Sequence, residues 1–489
     1  MAIDLLLVNP GNRSQIYQNL GEDYSAIEPP FWIAVIAAFL RKHNKSVEII
    51  DLNAQTLTDE EFVDQVKYLN PALASVIVYG SNPSASTQTM PAARHACELL
   101  KEAGCYVALG GLHPSALPEK TLREEDVDFV IDGEGPYTLL GLLEMGKNFT
   151  NRLNQIPGLW WKIDGVIYHS LRSPIIKVLD NILPIAAWDL LPMKNYRAHN
   201  WHCFDDIENR QPYGAIYTSL GCPYSCTFCC INTPFGKPTI RYRDPKIVIE
   251  EIDLLVNKYG VKNLKIIDEL FILKEDHYMK IVDLIIERGY DLNIWAYART
   301  DSIRFANLKK MKDAGINWLG LGIESASEKV LVGAKKKQKV EEMENLVNSL
   351  KQHEIRIGAN FIFGLPGDTQ ETMKQTLDMA LNLNAEMSNF YCAMAYPGSQ
   401  LHSLMKPNVL PENHKDIGWI GYSQHAYETF PLSNSNLTNA EILKFRDDAF
   451  NTVYNDPNYL NMLENKFGTK VKQHILDLTK IKLKRKILE

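Results

Sequence analysis

Short apolar runs alternate with longer amphipathic ones through the first 145 residues: IDLLLVNP, PFWIAVIAAFLRKHN, VEIIDLN, DEEFVDQVKYLN, LASVIVYG, a helical stretch from about Gln88 to Ala103, CYVALGG and DFVIDGEG. Brief apolar strands between amphipathic helices predict right-handed βαβ units, and so an α/β fold with a doubly wound parallel sheet over residues 1–145. Ligands of such sheets sit beyond the carboxyl ends of the strands. The loops there are NPGN (9–12), GSNPSAS (80–86), GGLHP (110–114) and DGEGP (132–136), all short and polar.

Residues 146–205 break the rhythm. GLWWKIDGVIYHS predicts a hairpin turning at Asp164-Gly165, and the Pro-bounded LPIAAWDLLP has neither period, so this stretch reads as a linker packed between two domains. From Tyr213 the alternation resumes, with strands AIYTS (215–219), VKNLKIIDE (261–269), NIWAYAR (293–299), WLGLGIES (318–325), IRIGANFIFG (355–364) and MSNFYCAMAY (387–396). Six βα-type units over 206–405 suit a partial barrel with its chemistry at the carboxyl ends of the strands. The helix after Asp244 is the best delimited: Asp244 can cap it, Pro245 fits its first position and Gly260 can end it. Residues 406–489 read as a polar helical region whose end, KIKLKRKILE, is expected to be a solvated helix terminus.

Composition adds little. With 45% hydrophobic and 23% charged residues the chain is an ordinary globular one, and 52 basic against 59 acidic residues give −7, too mild to mark a nucleic-acid partner. The most apolar stretch, Phe31 to Leu40, covers about half of what a membrane span requires and is closed by Arg41 and Lys42. No cationic leader precedes MAIDLLLVNP, and the expected location is the cytoplasm.

The informative residues are cysteines. Eight in 489 positions do not make a disulfide scaffold, yet three fall in CPYSCTFC as Cys222, Cys226 and Cys229, spaced Cys-x3-Cys-x2-Cys directly after a strand, with Cys230 adjacent. Zinc prefers four protein ligands, and only Cys230 or His202 could be invoked as a fourth. Thiolates are the usual ligands of iron–sulfur clusters, and three of them on a 4Fe-4S cluster leave one iron open.

This motif, in this place, resembles the radical S-adenosylmethionine (radical SAM) superfamily over about Tyr213 to Gln400. The resemblance implies that the open iron binds SAM and that one electron from the cluster, delivered by an external donor such as flavodoxin or ferredoxin, yields a 5′-deoxyadenosyl radical. It further implies SAM contacts at Phe228, through its main chain, and at Asp268 or Glu269, which end the second strand and could accept from the SAM ammonium. Arg299 suits the SAM carboxylate or a structural salt bridge. Glu324 suits the ribose hydroxyls or a buried structural role. Gly364, in FGLPGDT, brings backbone near adenine, unless that turn merely starts a helix capped by Thr369.

A doubly wound domain ahead of such a barrel resembles the cobalamin-binding class of this superfamily. GGLHP and DFVIDGEGP match its pattern, and the likeness implies cobalamin contacts at Ser81, Gly110, Gly111, His113 and Glu134, with Ser84 beside Ser81. The Asp-x-His-x-x-Gly of methionine-synthase-type domains is missing, so cobalamin is expected without a histidine below the cobalt; His113 is expected at the corrin edge or in solvent. No Gly-x-Gly-x-x-Gly follows the first strand, which disfavours a Rossmann nucleotide site.

The implied activity is a cobalamin-dependent radical SAM enzyme, most directly one that methylates an unactivated carbon. A cyclase or rearrangement enzyme is the alternative, and a non-catalytic cobalamin/iron–sulfur sensor a remote one. A methylthiotransferase is disfavoured because only Cys97 and Cys105 precede residue 200. The substrate, small molecule or peptide, is unidentified; Tyr391, Tyr396 and His402 are candidates for the barrel mouth, which the tail from about 405 could close.

Overall fold

The computed structural model describes residues 2–11, 13–21, 23–79, 83–146 and 152–489. Its first sheet holds β1 (Leu5–Asn9), β2 (Val47–Asp51), β3 (Leu73–Val78), β4 (Val107–Gly111), β5 (Phe129–Ile131), β6 (Leu159–Ile163) and β7 (Val166–His169), in the spatial order 2-1-3-4-5-6-7. The first five strands are parallel. Their order reverses between β1 and β3, the switch point at which doubly wound sheets bind ligands. β1 and β3 are almost wholly buried, as continuous apolar runs covered on both faces must be.

β6 and β7 extend this sheet antiparallel to β5. The hairpin thus belongs to the sheet edge instead of standing apart in a linker; Asp164 and Gly165 take φ of +49° and +80°, the conformation a two-residue hairpin turn requires. After it, the chain at Ala186–Trp188 lies between the two halves. Ala187 N donates to Ala34 O in the helix Phe31–Lys42 at 3.0 Å, while Ala186 N and Trp188 Nε1 donate to Glu251 of the helix Pro245–Tyr259 at 2.9 and 3.0 Å. That second helix is delimited as its sequence predicts: Asp244 accepts from Lys246 N, and Gly260 stops it at φ +68°.

The second sheet contains β8 (Tyr213–Ile216), β11 (Asn263–Ile266), β12 (Asn293–Arg299), β13 (Ile316–Glu324), β14 (Arg356–Phe363) and β15 (Met387–Cys392), all parallel and in chain order, an open six-stranded barrel wall. A two-stranded ribbon, β9 (Ser219–Leu220) with β10 (Arg241–Tyr242), brackets the cysteine-bearing loop. The amino-terminal end of the barrel is plugged by Trp201, Phe204, Trp295, Trp318, Tyr454 and Tyr459, leaving the carboxyl end as the open mouth.

Three helices follow, Asn439–Tyr454, Pro457–Phe467 and Thr469–Thr479. Tyr454 Oη donates to Ser388 O at 2.8 Å and pins the first of them to β15. The terminal basic stretch is not a solvated helix end. Arg485 is 4% exposed and bonds both oxygens of Asp447 at 2.9 Å, because a guanidinium taken out of water must meet a carboxylate. Nearby, Gln18 Nε2 donates to the carbonyls of His425 (2.7 Å) and Lys484 (3.2 Å), and Lys484 N donates back to Gln18 Oε1. Among the described residues no helix is long and apolar enough to cross a membrane.

Candidate functional site

Cys222, Cys226 and Cys229 are partly exposed, whereas the other five cysteines are buried. Gly221 opens their loop at φ +88°, where a Cβ would strike Thr239 O. Asn232 shapes it from within: its Oδ1 accepts from Cys222 N at 3.2 Å and its Nδ2 donates to Tyr224 O at 3.2 Å. Thr227 anchors the loop to the barrel, donating from N to Ala334 O (3.1 Å) and accepting at O from Leu401 N (2.8 Å). Phe228 packs between two small apolar clusters, one with Val330 and Leu365, the other with Leu401 and Leu410. The sequence reading named neither Asn232 nor Thr227, since polar loop residues carry no mark of what they bond.

Cys226 and Cys229 face a cleft of about 340 Å³ that is also lined by Tyr224, Asn232, Gln400 and, from the first domain, Ser115. Burial pushes the Cys222 thiol up to about 11 and that of Cys229 well above its ordinary range. Holding all three as thiolates therefore calls for a strong positive charge in the loop, which a bound cluster supplies. Among the described residues no group of three or more His, Cys, Asp or Glu could hold a single metal ion. Three soft thiol donors on one loop are the kind of donor set an iron–sulfur cluster takes.

Around the mouth the strand-end residues fall into pairs. Asp268 is 1% exposed and accepts from Thr218 N, Thr218 Oγ1 and Ser219 Oγ, each at 2.6 Å. Its lone pairs hold the start of the cysteine loop. Glu269 is the free one: it accepts no hydrogen bond among the described residues, and burial, with the Asp268 charge beside it, raises its carboxyl to about 7. Of the two candidates for a ligand ammonium, Glu269 is open to one.

Arg299 makes a bidentate pair with Asp301 (2.8 and 2.8 Å) and lies 4.1 Å from the ring centre of Tyr224; here the salt bridge is realised. Glu324 ends β13 at φ +64°, where β13 and β14 slip register, an uncommon conformation for a residue with a side chain. Its carboxylate is paired with Lys336, and both are buried. A Cβ on Gly322 would meet both side-chain ends, so that glycine makes room for the pair. Lys336 went unread in the sequence; it is one of several lysines in KKKQK, and nothing in such a run distinguishes the one that turns inward. Gly364, at φ +85°, donates from N to Asp368 Oδ2 at 2.9 Å, and its α-carbon abuts Ile442. Thr369 caps the next helix, so the turn also serves as a helix start.

In the first domain, Ser81 lies outside the described residues. The close approach made by Gly111 is to the Val78 backbone of β3, and Gly110 abuts Ile77 and Ile131; both glycines serve strand packing. His113 is not in solvent. It is 1% exposed, with Nδ1 3.1 Å from Thr87 Oγ1 and its ring edge-on to Trp419 at 4.5 Å. Burial lowers its pKa to about 3 and keeps it neutral. Glu134 accepts from Arg241 NH1 at 2.8 Å and from Ile176 N at 2.7 Å, which commits its carboxylate to the contact between domains. His402 is closed on Glu412 at 3.0 Å.

Among the described residues one buried hydroxyl beyond the carboxyl end of β3, Ser86 Oγ in the turn Pro83–Thr89, has no hydrogen-bond partner, while the Tyr217 hydroxyl after β8 meets that of Tyr79. Unsatisfied buried polar atoms are rare, and the Ser86 hydroxyl suits a polar ligand held between the sheets, as a corrin with its amide side chains would be.

Comparison with known proteins agrees with this geometry. Residues 216–380 match the radical SAM superfamily and residues 20–143 the B12 binding domain. The chain is 31% identical over 405 residues to an uncharacterized methyltransferase of Pyrococcus horikoshii, covering 81% of this chain and 82% of that one. It is 26% identical to an anaerobic magnesium-protoporphyrin IX monomethyl ester cyclase of Cereibacter sphaeroides, over 87% of this chain and 67% of the cyclase. In fold it resembles the radical SAM methyltransferase TsrM of Kitasatospora setae (TM-score 0.66, 18% identity, 93% of this chain and 89% of that one). It also resembles the cobalamin-dependent radical enzyme OxsB (TM-score 0.67, 16% identity, 97% and 71%).

Proposed function

The chain belongs to the radical SAM superfamily and carries a B12-binding domain, and on that premise we propose that it is a cobalamin-dependent radical SAM enzyme that methylates an unactivated carbon. The observation that carries the reading is one cleft that brings Cys226 and Cys229, of the partly exposed trio with Cys222, together with Ser115 and Ala116 from the helix that follows β4 of the first sheet. When bound, the cluster and SAM would supply a carbon radical, and the corrin a transferable methyl group.

The chain's own residues position and shield. Cys222, Cys226 and Cys229 would ligate the cluster, with Asn232 and Thr227 fixing the loop. Glu269 is placed to accept from the SAM ammonium. The Arg299 fork, now on Asp301, would share itself with the SAM carboxylate, and Glu324, steadied by Lys336, would accept from the ribose hydroxyls. Phe228 and Gly364 would form the adenine side. On the corrin side, Ser86, Tyr217 and the segment around Trp419 would close the site against water. The cytoplasm is the compartment that suits a low-potential cluster fed by flavodoxin or ferredoxin.

Labelled turnover tests this. With SAM carrying a trideuteromethyl group, product should gain one CD3 unit, while 5′-deoxyadenosine and S-adenosylhomocysteine accumulate in about equal amounts, one SAM serving as oxidant and one as methyl donor. The similarity to cyclases keeps a second reading in view. Product formed without label, with deoxyadenosine but no S-adenosylhomocysteine, would establish the cyclase or rearrangement instead.

A further inference from the structure

Parallel strands covered by helices are buried on both faces, yet the second sheet departs from this on its inner face. Lys265, Tyr297, Asn360, Asn389 and Tyr391 all keep partial exposure while their outward-facing neighbours have essentially none. Strand register puts Lys265 level with Trp295, and Arg299, Gly322, Asn360 and Asn389 in one layer above. Below, Trp295 and Trp318 stack at 5.2 Å and, with Tyr297, lie across Gly320 and Gly358, where a Cβ would strike their rings. The inner face of the barrel therefore has polar walls above an aromatic floor.

Its polar groups are incompletely used. Lys265 Nζ donates to Glu28 Oε1 at 2.7 Å and interacts with Tyr297, which leaves a third ammonium proton. Burial works against this charge, but Glu28 outweighs it and holds Lys265 as the ammonium. Trp295 Nε1, in a side chain 7% exposed, has no acceptor among the described residues and points into the barrel beside Gly320. On the accepting side, Tyr213 and Lys265 both reach Glu28 Oε1, and among the described residues no donor reaches its second oxygen. Asn389 Nδ2 is given to Asn360 Oδ1 at 3.1 Å, and Asn360 Nδ2 to Leu321 O at 3.1 Å, so Asn389 Oδ1 also has no donor among the described residues. The other cations of the mouth, Arg299 and Lys336, are already closed on carboxylates.

A lumen with an unmatched donor at Trp295 and acceptor at Asn389, beside an ion pair whose Lys265 keeps a further proton and whose Glu28 keeps a further oxygen, is complementary to one kind of molecule. We propose that the substrate is a small acid whose oxyanion, carboxylate or phosphoryl, sits next to a hydroxyl or ammonium donor: the oxyanion meets Lys265 and the donor meets Glu28. The proposal rests on the radical-enzyme reading above, which makes this lumen the place where substrate lies. Hydrocarbon chains and tetrapyrrole macrocycles would leave the Trp295 N–H and the Asn389 oxygen buried without partners and would strip water from the Lys265–Glu28 pair, which is costly.

The test is calorimetric titration of reconstituted holoenzyme with three probes: L-serine, glycerol 3-phosphate and protoporphyrin IX. Serine or glycerol 3-phosphate should bind saturably, and which of the two does so identifies the oxyanion. Lys265→Met should weaken that binding about tenfold or more, while Lys265→Arg stays within about threefold and Trp295→Phe weakens it by a few fold. Saturation by neither acid up to about 50 mM, binding indifferent to Lys265→Met in a variant with wild-type circular dichroism, or tight binding of protoporphyrin alone would each overturn the proposal. Because the readout is binding without turnover, absence of label transfer would defeat the methylation reading and leave this result standing.

Discussion

Glu134 Oε1 lies 2.8 Å from Arg241 NH1, and the two side chains are 5% and 7% exposed. This buried pair joins the DGEGP loop of the first sheet to the ribbon that closes the cysteine loop. A carboxylate that the family resemblance implies as a cobalamin contact ties the two halves together, and it does so across 107 positions of chain.

Arg241→Met should leave Glu134 buried without its counter-charge, at a cost of about 3–5 kcal/mol. Urea unfolding should show the loss. Glu134→Gln, which keeps the bond from Ile176 N to its side-chain oxygen, should cost less. If both variants unfold with the wild type, the pair contributes nothing to the contact.

Replacing Cys222, Cys226 or Cys229 with Ala should abolish the cluster, so that anaerobic reconstitution gives far fewer than about four irons per chain. Cys230→Ala should retain iron, because Cys230 is 1% exposed and packed into the core while the other three keep partial exposure. Iron analysis and the electron paramagnetic spectrum of the reduced protein decide the matter.

Lys336→Met should weaken S-adenosylhomocysteine binding about tenfold or more in equilibrium dialysis, and Lys336→Arg much less. Stability should separate from binding. Lys336→Met leaves Glu324 uncompensated and should destabilise the fold, whereas combining it with Glu324→Gln should restore stability without restoring binding. Recovery of both together would reduce the pair to a structural role.

Burial lowers His113 and His202 to about 3, below the ordinary histidine value of about 6.5. The unfolded chain then binds more protons than the folded one throughout that interval. Stability is accordingly complete above about pH 6.5 and falls as acid is added, by up to about 2 kcal/mol per histidine at pH 5. Urea midpoints between pH 7 and 5 should follow this trend, and His113→Gln should flatten it.

Much of the architecture was legible because it is written locally. Asp244, Pro245 and Gly260 delimit a helix within one short stretch, Asp164-Gly165 marks its own turn, and three cysteines in eight residues state their purpose without any distant partner. What escaped depends on residues far apart in the chain. Lys265 finds Glu28 across 237 positions and Arg485 finds Asp447 across 38; no periodicity records either meeting. Strand ends show the same divide: Asp268 and Glu269 are equivalent on paper, and only the hydroxyls of Thr218 and Ser219 decide which carboxylate is left open.

Gln18, bonded to His425 and to Lys484 at both its oxygen and its nitrogen, makes the molecule mechanically a closed ring and not two bodies on a tether. A load on the first domain reaches the barrel through the Ala186–Trp188 connector, through the Glu134–Arg241 and Glu28–Lys265 pairs, and through this far-side clasp. Swinging the domains apart by a simple hinge at the connector would stretch three hydrogen bonds at once. The chain's last residues are thereby fastened to its first ones, so the polypeptide closes on itself at the side opposite the connector.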